Sequence, residues 1–209
     1  MNMQLLNRYS KNLETILNKI IDHKIAIGHI DFKDQLNISA STLSSILYFL
    51  ETKDIESCYL YILNDFGCKN ENLFKRIIPE NVCKKVNCVI NNKIFTKNLY
   101  IQNFGYIKIF AKPDAFFGNF PIEIKSMSLK TLNSKMHKFL EKYGNYQAKM
   151  YGYVLDKNIS YLIMNVYDDI PNPKIISYKV KKIDVNLEEI DKKVKNMLKE
   201  TILPILKKF

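Results

Sequence analysis

Residues 112–125 read Lys-Pro-Asp-Ala-Phe-Phe-Gly-Asn-Phe-Pro-Ile-Glu-Ile-Lys, and this stretch decides the fold. A Gly-Asn pair between aromatic residues is typical of the turn of a β-hairpin. On the second strand, the period of two places Glu123 and Lys125 on one face and Ile124 in the core. The hairpin is therefore expected to bring Asp114 alongside Glu123.

Two acids and a lysine in this order predict metal-dependent phosphodiester chemistry. Asp114 and Glu123 can hold a hard divalent cation through oxygen. Such a cation polarises a phosphoryl oxygen and lowers the pKa of a bound water, while Lys125 can orient that water or neutralise developing charge. For an isolated E-x-K sequence, the alternative is an ordinary hairpin with a Glu–Lys pair on its surface.

A helical pattern follows, from about Leu129 to Leu155. Gln147 and Tyr151 are four residues apart and therefore share a face of this helix. The stripe expected to face the core consists of Met136, Leu140, Tyr143, Met150 and Val154. Taken alone, Gln147 and Tyr151 could be polar residues satisfied within the core.

The order P-D, E-x-K and Q-x-x-x-Y resembles the PD-(D/E)xK nuclease superfamily over about residues 80–167. It is most similar to the RecB-type branch, which includes CRISPR-associated single-strand exonucleases and small archaeal viral nucleases. The resemblance implies an α/β core in which a mixed sheet is flanked by helices. It also implies hydrolysis of DNA with Mg²⁺ or Mn²⁺.

The same resemblance implies a role for each motif residue. The metal ligands would be Asp114, Glu123 and the carbonyl of Ile124, and Lys125 would be the catalytic lysine. Residues of the following helix would position the lysine and bind the DNA, namely Gln147, Tyr151 and Lys149.

The chain departs from the RecB-type pattern in its histidines. Members of that branch usually carry a His on a helix shortly upstream of the Asp as a further metal ligand, and none of the three His residues here lies there. Glu80 or Glu71, in the helix-like stretch 70–86, could take that place, since a carboxylate also suits Mg²⁺ or Mn²⁺.

The cysteines depart from the pattern as well. Iron–sulfur members of the branch carry one Cys before the motif and three after it, whereas all four Cys residues here precede Asp114. We therefore expect no iron–sulfur cluster. The spacing leaves a four-Cys zinc site or separate buried thiols as alternatives for Cys58, Cys68, Cys83 and Cys88.

The composition favours a nucleic-acid partner. The 209-residue chain has a net charge of +11, which favours phosphate binding, and its 13 Tyr and 12 Phe offer faces on which bases can stack. No apolar run approaches the roughly 18 residues of a membrane span. Without a hydrophobic signal segment, we expect a cytoplasmic protein, in the host cytoplasm if it is viral. The sequence leaves a homo-oligomer open.

The N-terminal third predicts a mostly helical module over residues 1–66. Short helices, a turn and a longer helix follow one another in a pattern that resembles the helix-turn-helix of winged-helix DNA-binding domains. The predicted bounds are 12–23 and 31–36 for the short helices, 37–40 for the turn and 41–55 for the longer helix. A strand-like run over 56–63 would begin the wing.

The start of the longer helix would then enter the major groove. We expect DNA contacts there from Ser41, Thr42, Ser44 and Ser45. The alternative treats residues 39–58 as the helical N-terminal lobe found in RecB-type nucleases.

The C-terminal region predicts strands over 161–167 and 175–182 and a helix over 185–206. Lysines lie away from the apolar side of that helix, either as a solvated basic face or as contacts to a DNA backbone.

We therefore predict a nuclease core over residues 67–209 that hydrolyses DNA, with single strands as the preferred substrate. The alternative is a DNA-binding or regulatory protein with an inactive nuclease-like fold, against which the intact set Asp114, Glu123 and Lys125 speaks. An RNA nuclease would keep the same catalytic set. Exonuclease or endonuclease action and strand polarity stay open.

Overall fold

The structure is a computed structural model, and the residues that it describes are 3–32, 35–54, 77–129, 135–168 and 173–207. The helices are α1 (Met3–Ala26), α2 (Ala40–Thr52), α3 (Ile78–Val86), α4 (Lys135–Val154), α5 (Leu187–Met197) and α6 (Leu203–Leu206), and a π-helical turn, Leu198–Ile202, joins the last two. The strands are β1 (Ile30–Asp31), β2 (Leu36–Ser39), β3 (Val89–Ile90), β4 (Phe95–Ile101), β5 (Gly105–Ala111), β6 (Ala115–Phe117), β7 (Phe120–Ser128), β8 (Ile159–Asp168) and β9 (Lys174–Asp184).

The strands form two mixed sheets. The first has the order β1-β2-β5-β4, with β2 and β5 parallel, and the second has the order β3-β6-β7-β8-β9, with β7 and β8 parallel. The other neighbouring strands are antiparallel. Together with the flanking helices, these sheets confirm the predicted α/β fold with mixed sheets.

The chain passes from the first sheet to the second through residues 112–114. Because Pro113 has no N–H to donate, strand pairing cannot continue through it. The N–H of Asp114 then donates to the Ile122 carbonyl, 3.1 Å away, and opens the second sheet. The Lys-Pro-Asp motif is therefore the junction between the two sheets.

Helices cover both faces of the second sheet. On one face, α4 packs through Ala148 against Met127, Leu162 and Met164. On the other face, Ile78 and Val82 of α3 pack against apolar residues of β6, β7 and β8. The first sheet turns its inner face to a larger core built from α1, α2, α4, α5 and α6. Helix α4 thus packs against the second sheet and also belongs to the larger core under the first sheet.

The close approach of α4 to the second sheet depends on a glycine. A Cβ on Gly144 would lie 2.7 Å from Cδ1 of Leu162 and 3.1 Å from Cγ of Lys125. Both distances are shorter than an ordinary van der Waals contact, so a larger side chain here would push α4 away or displace Lys125.

Several predicted elements are confirmed. The hairpin is formed by β6 and β7, with Gly118 at a φ of +57° in its turn. The helix predicted after Lys125 is α4, and β8, β9 and α5 match the predicted C-terminal elements. The helix expected over 185–206 is interrupted by the π-helical turn, and the helix expected over 70–86 is described only from Ile78 onwards.

Two predictions for the N-terminal third are wrong. Of the short helix expected over 31–36, Asp31 lies in β1 and Leu36 in β2, and the turn expected over 37–40 is occupied by β2 and the first residue of α2. Leu36 and Ile38 alternate with polar residues and point into the core, which is the period of a strand, and β2 is held by parallel pairing with β5. Helix α2 is confirmed, but a strand precedes it, so the helix-turn-helix interpretation is not confirmed.

The predicted division into residues 1–66 and 67–209 stays a prediction. Its boundary and the expected wing strand lie outside the described residues. The observation against a separate module is that β2 belongs to the same sheet as β5, and α2 to the same core as α4.

Among the residues that the structure describes, none of the helices combines the length and apolar character needed to cross a membrane.

Candidate active site

A cleft of about 750 Å³ opens where the two sheets meet. Asp114 lines it together with Lys112 from the junction. Helix α3 contributes Glu80, and α4 contributes Tyr151. The start of α2 adds Ser41 to the wall. Residues from both halves of the sequence therefore meet around Asp114.

The carboxylate of Asp114 is fixed by the backbone of the neighbouring strand. The N–H of Ile124 donates to Oδ2 of Asp114 over 2.7 Å. Burial and the negative charge of Glu123 raise the pKa of Asp114 to about 8. The second cause means that the two carboxylates are close enough to repel each other, as the predicted hairpin requires.

Asn91, which the sequence interpretation missed, holds the Pro113–Asp114 junction. Its N–H donates to the Asp114 carbonyl over 3.0 Å, and its side-chain amide donates to the Pro113 carbonyl over 2.9 Å. Nothing in the local sequence points to this role of Asn91, because Pro113 and Asp114 are 22 and 23 residues away.

Glu123 lies in the interior, with 3% of its surface exposed. One carboxylate oxygen, Oε1, pairs with Nζ of Lys125 over 2.7 Å. The other, Oε2, is buried and has no hydrogen-bond partner within the described part of the chain. A buried carboxylate oxygen without a partner is costly, and a bound cation would satisfy it.

Lys125 is held from two sides. In addition to Glu123, its Nζ lies 5.0 Å from the ring centre of Tyr143 on α4. The hydroxyl of Tyr143 donates in turn to the Ser41 carbonyl over 3.3 Å. The sequence predicts Tyr143 only as part of the core stripe, although it lies four residues before Gln147 and so shares its helix face.

A second residue outside the motif supports the strand that carries Lys125. The side-chain amide of Asn165 on β8 donates to the Lys125 carbonyl over 3.1 Å and to Oγ of Ser126 over 2.8 Å. Asn165 is fully buried. A polar residue within an otherwise apolar strand was the only signal for it in the sequence.

Gln147 and Tyr151 both lie on the inner side of α4. Gln147 is buried, and its Oε1 has no hydrogen-bond partner among the described residues. Tyr151 is also buried and lines the cleft with Asp114. Their predicted roles in positioning the lysine and the DNA stay predictions.

The donor set suits an oxygen-binding divalent cation. The carboxylates of Asp114 and Glu123 lie close enough to repel each other, and the unpartnered Oε2 of Glu123 is the atom that such an ion would satisfy. In the described ranges, no three or more His, Cys, Asp or Glu side chains are grouped to hold a metal. Glu80 lines the cleft without completing such a group, its role as a ligand stays a prediction, and Glu71 lies outside those ranges.

The expected DNA contacts at the start of α2 are contradicted at three of four positions. The side chains of Thr42, Ser44 and Ser45 are fully buried. The hydroxyls of Ser44 and Ser45 donate to the backbone carbonyls of α2 itself, over 2.7 Å and 2.8 Å. Because this face of α2 packs into the core, these three side chains cannot read a DNA groove.

The other predicted DNA contacts lie in different places. Ser41 is half-buried in the cleft wall, where its Oγ lies 3.0 Å from Oγ of the helix-capping residue Ser39. Lys149 is exposed, and its charge acts on Glu51 of α2 and Glu189 of α5, away from the cleft.

Two of the four cysteines can be placed. Cys83 at the end of α3 is buried, Cys88 before β3 is half-buried, and both are free thiols whose sulfur atoms lie 2.6 Å apart. Cys58 and Cys68 lie outside the described residues, so the zinc alternative stays a prediction.

Comparison with known proteins gives similarity in structure and not in sequence. No protein-family model matches the chain, and no curated protein matches it. A solved structure of the protein SSO0001 is similar over 91% of this chain and 84% of its own, with 17% identity and a TM-score of 0.47.

Two exonuclease structures are similar to a comparable degree. A phage-related exonuclease from Haemophilus somnus 129PT is 15% identical, with 78% of this chain and 91% of that chain covered and a TM-score of 0.45. An alkaline exonuclease from Laribacter hongkongensis is 17% identical, with 81% and 89% covered and a TM-score of 0.43.

Proposed function

We propose that this protein is a Mg²⁺- or Mn²⁺-dependent deoxyribonuclease that hydrolyses phosphodiester bonds, with single-stranded DNA as the preferred substrate. The observation that carries the proposal is the buried Glu123–Lys125 pair close to Asp114, which lines the cleft, with one buried oxygen of Glu123 left without a partner in the described part of the chain. An isolated surface Glu–Lys pair would not have its carboxylate buried in this way.

On this proposal, Asp114, Glu123 and the Ile124 carbonyl would hold the metal ion. When bound, such an ion supplies electrostatic stabilisation of a phosphoryl oxygen and a water of lowered pKa. The other roles in the proposed reaction belong to residues of the chain. The Ile124 amide fixes the direction of the Asp114 carboxylate, so little reorganisation is needed when substrate binds.

Lys125 would orient the attacking water or neutralise charge that develops on the phosphate. Its pairing with Glu123 and its contact with the Tyr143 ring hold the ammonium group between β7 and α4. Gln147 and Tyr151, on the same face of α4, would position the lysine and the DNA.

The charge of the molecule supports a nucleic-acid substrate. The net charge of +11 favours binding of a polyphosphate chain, and Lys112 stands at the cleft wall beside Asp114. Unpaired bases can stack on exposed aromatic side chains, which is why a single strand is the preferred substrate of this proposal.

The test compares the wild-type protein with Asp114→Asn and Glu123→Gln on labelled linear and circular DNA, both single- and double-stranded, and on RNA, with Mg²⁺ or Mn²⁺. Each variant is expected to lose at least about 100-fold in cleavage rate while it keeps DNA binding, because each removes a metal ligand. Cleavage of circles would establish endonuclease action.

Two exposed acids provide matched controls. Asp184→Asn and Glu188→Gln remove the same charges from the surface, and both variants should keep wild-type activity. Near-wild-type cleavage by Asp114→Asn would contradict the assignment of this site. Wild-type protein that binds DNA but never cleaves it would support the alternative of an inactive binding protein.

A further inference from the structure

The outer face of the first sheet carries two exposed tyrosines that the proposed chemistry does not use. Tyr100 on β4 and Tyr106 on β5 are 58% and 64% exposed, and they are directly paired across the two strands. Their ring centres are 5.3 Å apart. Large aromatic side chains at this level of exposure are not part of either core.

The same face of β5 leads from these tyrosines to the cleft. Along β5, Ile107, Ile109 and Ala111 point into the core, so Tyr106, Lys108 and Phe110 point outward. Residues two apart on a strand are separated by roughly 6.8 Å, which is about twice the rise per base of one strand in a duplex. Phe110 lines the cleft that contains Asp114.

The neighbouring strands add mostly uncharged polar groups. Thr96 and Asn98 of β4 pair with Phe110 and Lys108, and Asn37 of β2 pairs with Lys108 from the other side. The described strands of this sheet contain one acid, Asp31, which pairs with Asn37 at the far edge. Lys108 therefore stands in the middle of the face with aromatic rings on both sides along β5.

We infer that this face binds single-stranded DNA and guides it into the cleft, with bases stacked on Tyr100, Tyr106 and Phe110 and a phosphate on Lys108. The direction of the strand towards Asp114 rests on the proposed function, whereas binding itself does not. Aromatic faces stack only on bases that are not already stacked in a duplex, so the surface fits a single strand. The net charge of +11 makes a nucleic acid a more complementary partner than a second copy of the chain.

Binding is measured without chemistry, with a fluorescent single-stranded oligonucleotide and EDTA. Tyr100→Ala and Tyr106→Ala should each raise Kd about fivefold or more, because a stacked base is lost. Tyr106→Phe should keep wild-type affinity, since the ring remains. Lys108→Gln should reduce the slope of log K against log salt concentration by about 0.7, the value for one phosphate contact of a single strand.

Tyr178→Ala is the matched control. Tyr178 is 47% exposed on β9, in the other sheet, and its loss should leave Kd unchanged. Unfolding temperatures of the Tyr100, Tyr106 and Tyr178 variants should stay close to wild type, because these side chains are exposed.

Cleavage then separates this surface from the active site. Tyr106→Ala should raise KM for long single strands and leave kcat unchanged, since Tyr106 contacts the DNA away from the reacting phosphate.

If the wild-type protein cleaves DNA and both alanine variants bind single strands as wild type does, the inferred surface is wrong and the proposed function stands. If the wild-type protein binds single strands through these tyrosines but does not cleave DNA, the proposed function is wrong and the inferred binding surface stands. Loss of a dimer in the alanine variants, with DNA binding unchanged, would make the face a contact between copies and overturn the inference.

Discussion

Glu123 has the most demanding position of any residue in the candidate site. Its carboxylate is almost completely removed from water, and Lys125 neutralises only one of its two oxygens. A buried acid is tolerated when paired charges and hydrogen bonds compensate for lost hydration. Here the compensation is incomplete within the described chain, which is the physical reason to propose a cation at this atom.

Tyr143 offers a test of how Lys125 is positioned. Tyr143→Leu removes both the ring contact to the ammonium group and the hydrogen bond to Ser41, whereas Tyr143→Phe removes only the hydrogen bond. A cation–π contact contributes about 0.5 to 2 kcal/mol, so we expect kcat to fall roughly threefold to thirtyfold in the Leu variant. The Phe variant should retain most of the activity.

The measurement is kcat and KM on a single-stranded substrate, with unfolding monitored in urea to exclude a stability effect. Equal loss of kcat in the Leu and Phe variants would show that the ring contact does not position the lysine.

At the scale of elements, the site exists because the junction 112–114, strand β7 and helix α4 lie close together. The chain passes from one sheet to the other at this junction, and β7 pairs with β8 in parallel. The side-chain amides of Asn91 and Asn165 donate hydrogen bonds to the carbonyls of Pro113 and Lys125. Helix α4 crosses both sheets and brings Tyr143, Gln147 and Tyr151 to the same side. Its distance from β7 is set at Gly144.

Gly144→Ala tests that distance. Ala is a better helix former than Gly by up to about 1 kcal/mol, but the added Cβ would lie 2.7 Å from Leu162 and 3.1 Å from the Lys125 side chain. Overpacking of this kind costs about 1 to 3 kcal/mol, so we expect a net loss of stability together with a loss of kcat as Lys125 shifts.

Urea unfolding and cleavage assays give the two readouts. Lys142→Ala, an exposed substitution on the same helix, should change neither. Gly144→Ala protein with higher stability and unchanged kcat would mean that α4 and β8 adjust without cost and that Gly144 does not control the site.

At the scale of the whole molecule, the N-terminal residues and the motif residues share one core. Leu36 and Ile38 of β2 and Leu43 of α2 are buried with Ile107 and Ile109 of β5. Polar contacts also join α2 to α4 and α5. Glu51 of α2 accepts a hydrogen bond from the hydroxyl of Tyr146 over 2.6 Å and pairs with Lys193 of α5 over 2.8 Å.

A chain that begins at Cys68 tests whether the N-terminal third can be removed. Without β2 and α2, the first sheet loses a parallel partner strand and the main core loses part of its packing. We expect the truncated protein to lack a cooperative unfolding transition and to bind a hydrophobic dye, as measured by circular dichroism and fluorescence.

A truncated protein that unfolds cooperatively, cleaves single strands normally and no longer binds duplex DNA would instead support the separate winged-helix module.

The sequence by itself determined the local and periodic features of this protein. A Gly-Asn turn between strand-forming residues, a period of two around Ile124 and a helical stripe in α4 are set by neighbouring residues, so the hairpin, the shared face of Glu123 and Lys125 and the helix with Gln147 and Tyr151 could all be predicted. The types of residue also indicated the chemistry, because two neighbouring carboxylates can bind a divalent cation and a lysine can neutralise charge on a phosphate.

Only the tertiary structure decided how distant segments meet. Residues 36–39 form a strand because β5 pairs with them, and Thr42, Ser44 and Ser45 are buried because α2 packs against a core made largely of later residues. The roles of Asn91, Tyr143 and Asn165 depend on partners 22 to 102 residues away in sequence. Such contacts leave no local pattern, since their energy comes from burial and hydrogen bonds that exist only once both sheets and α4 are assembled.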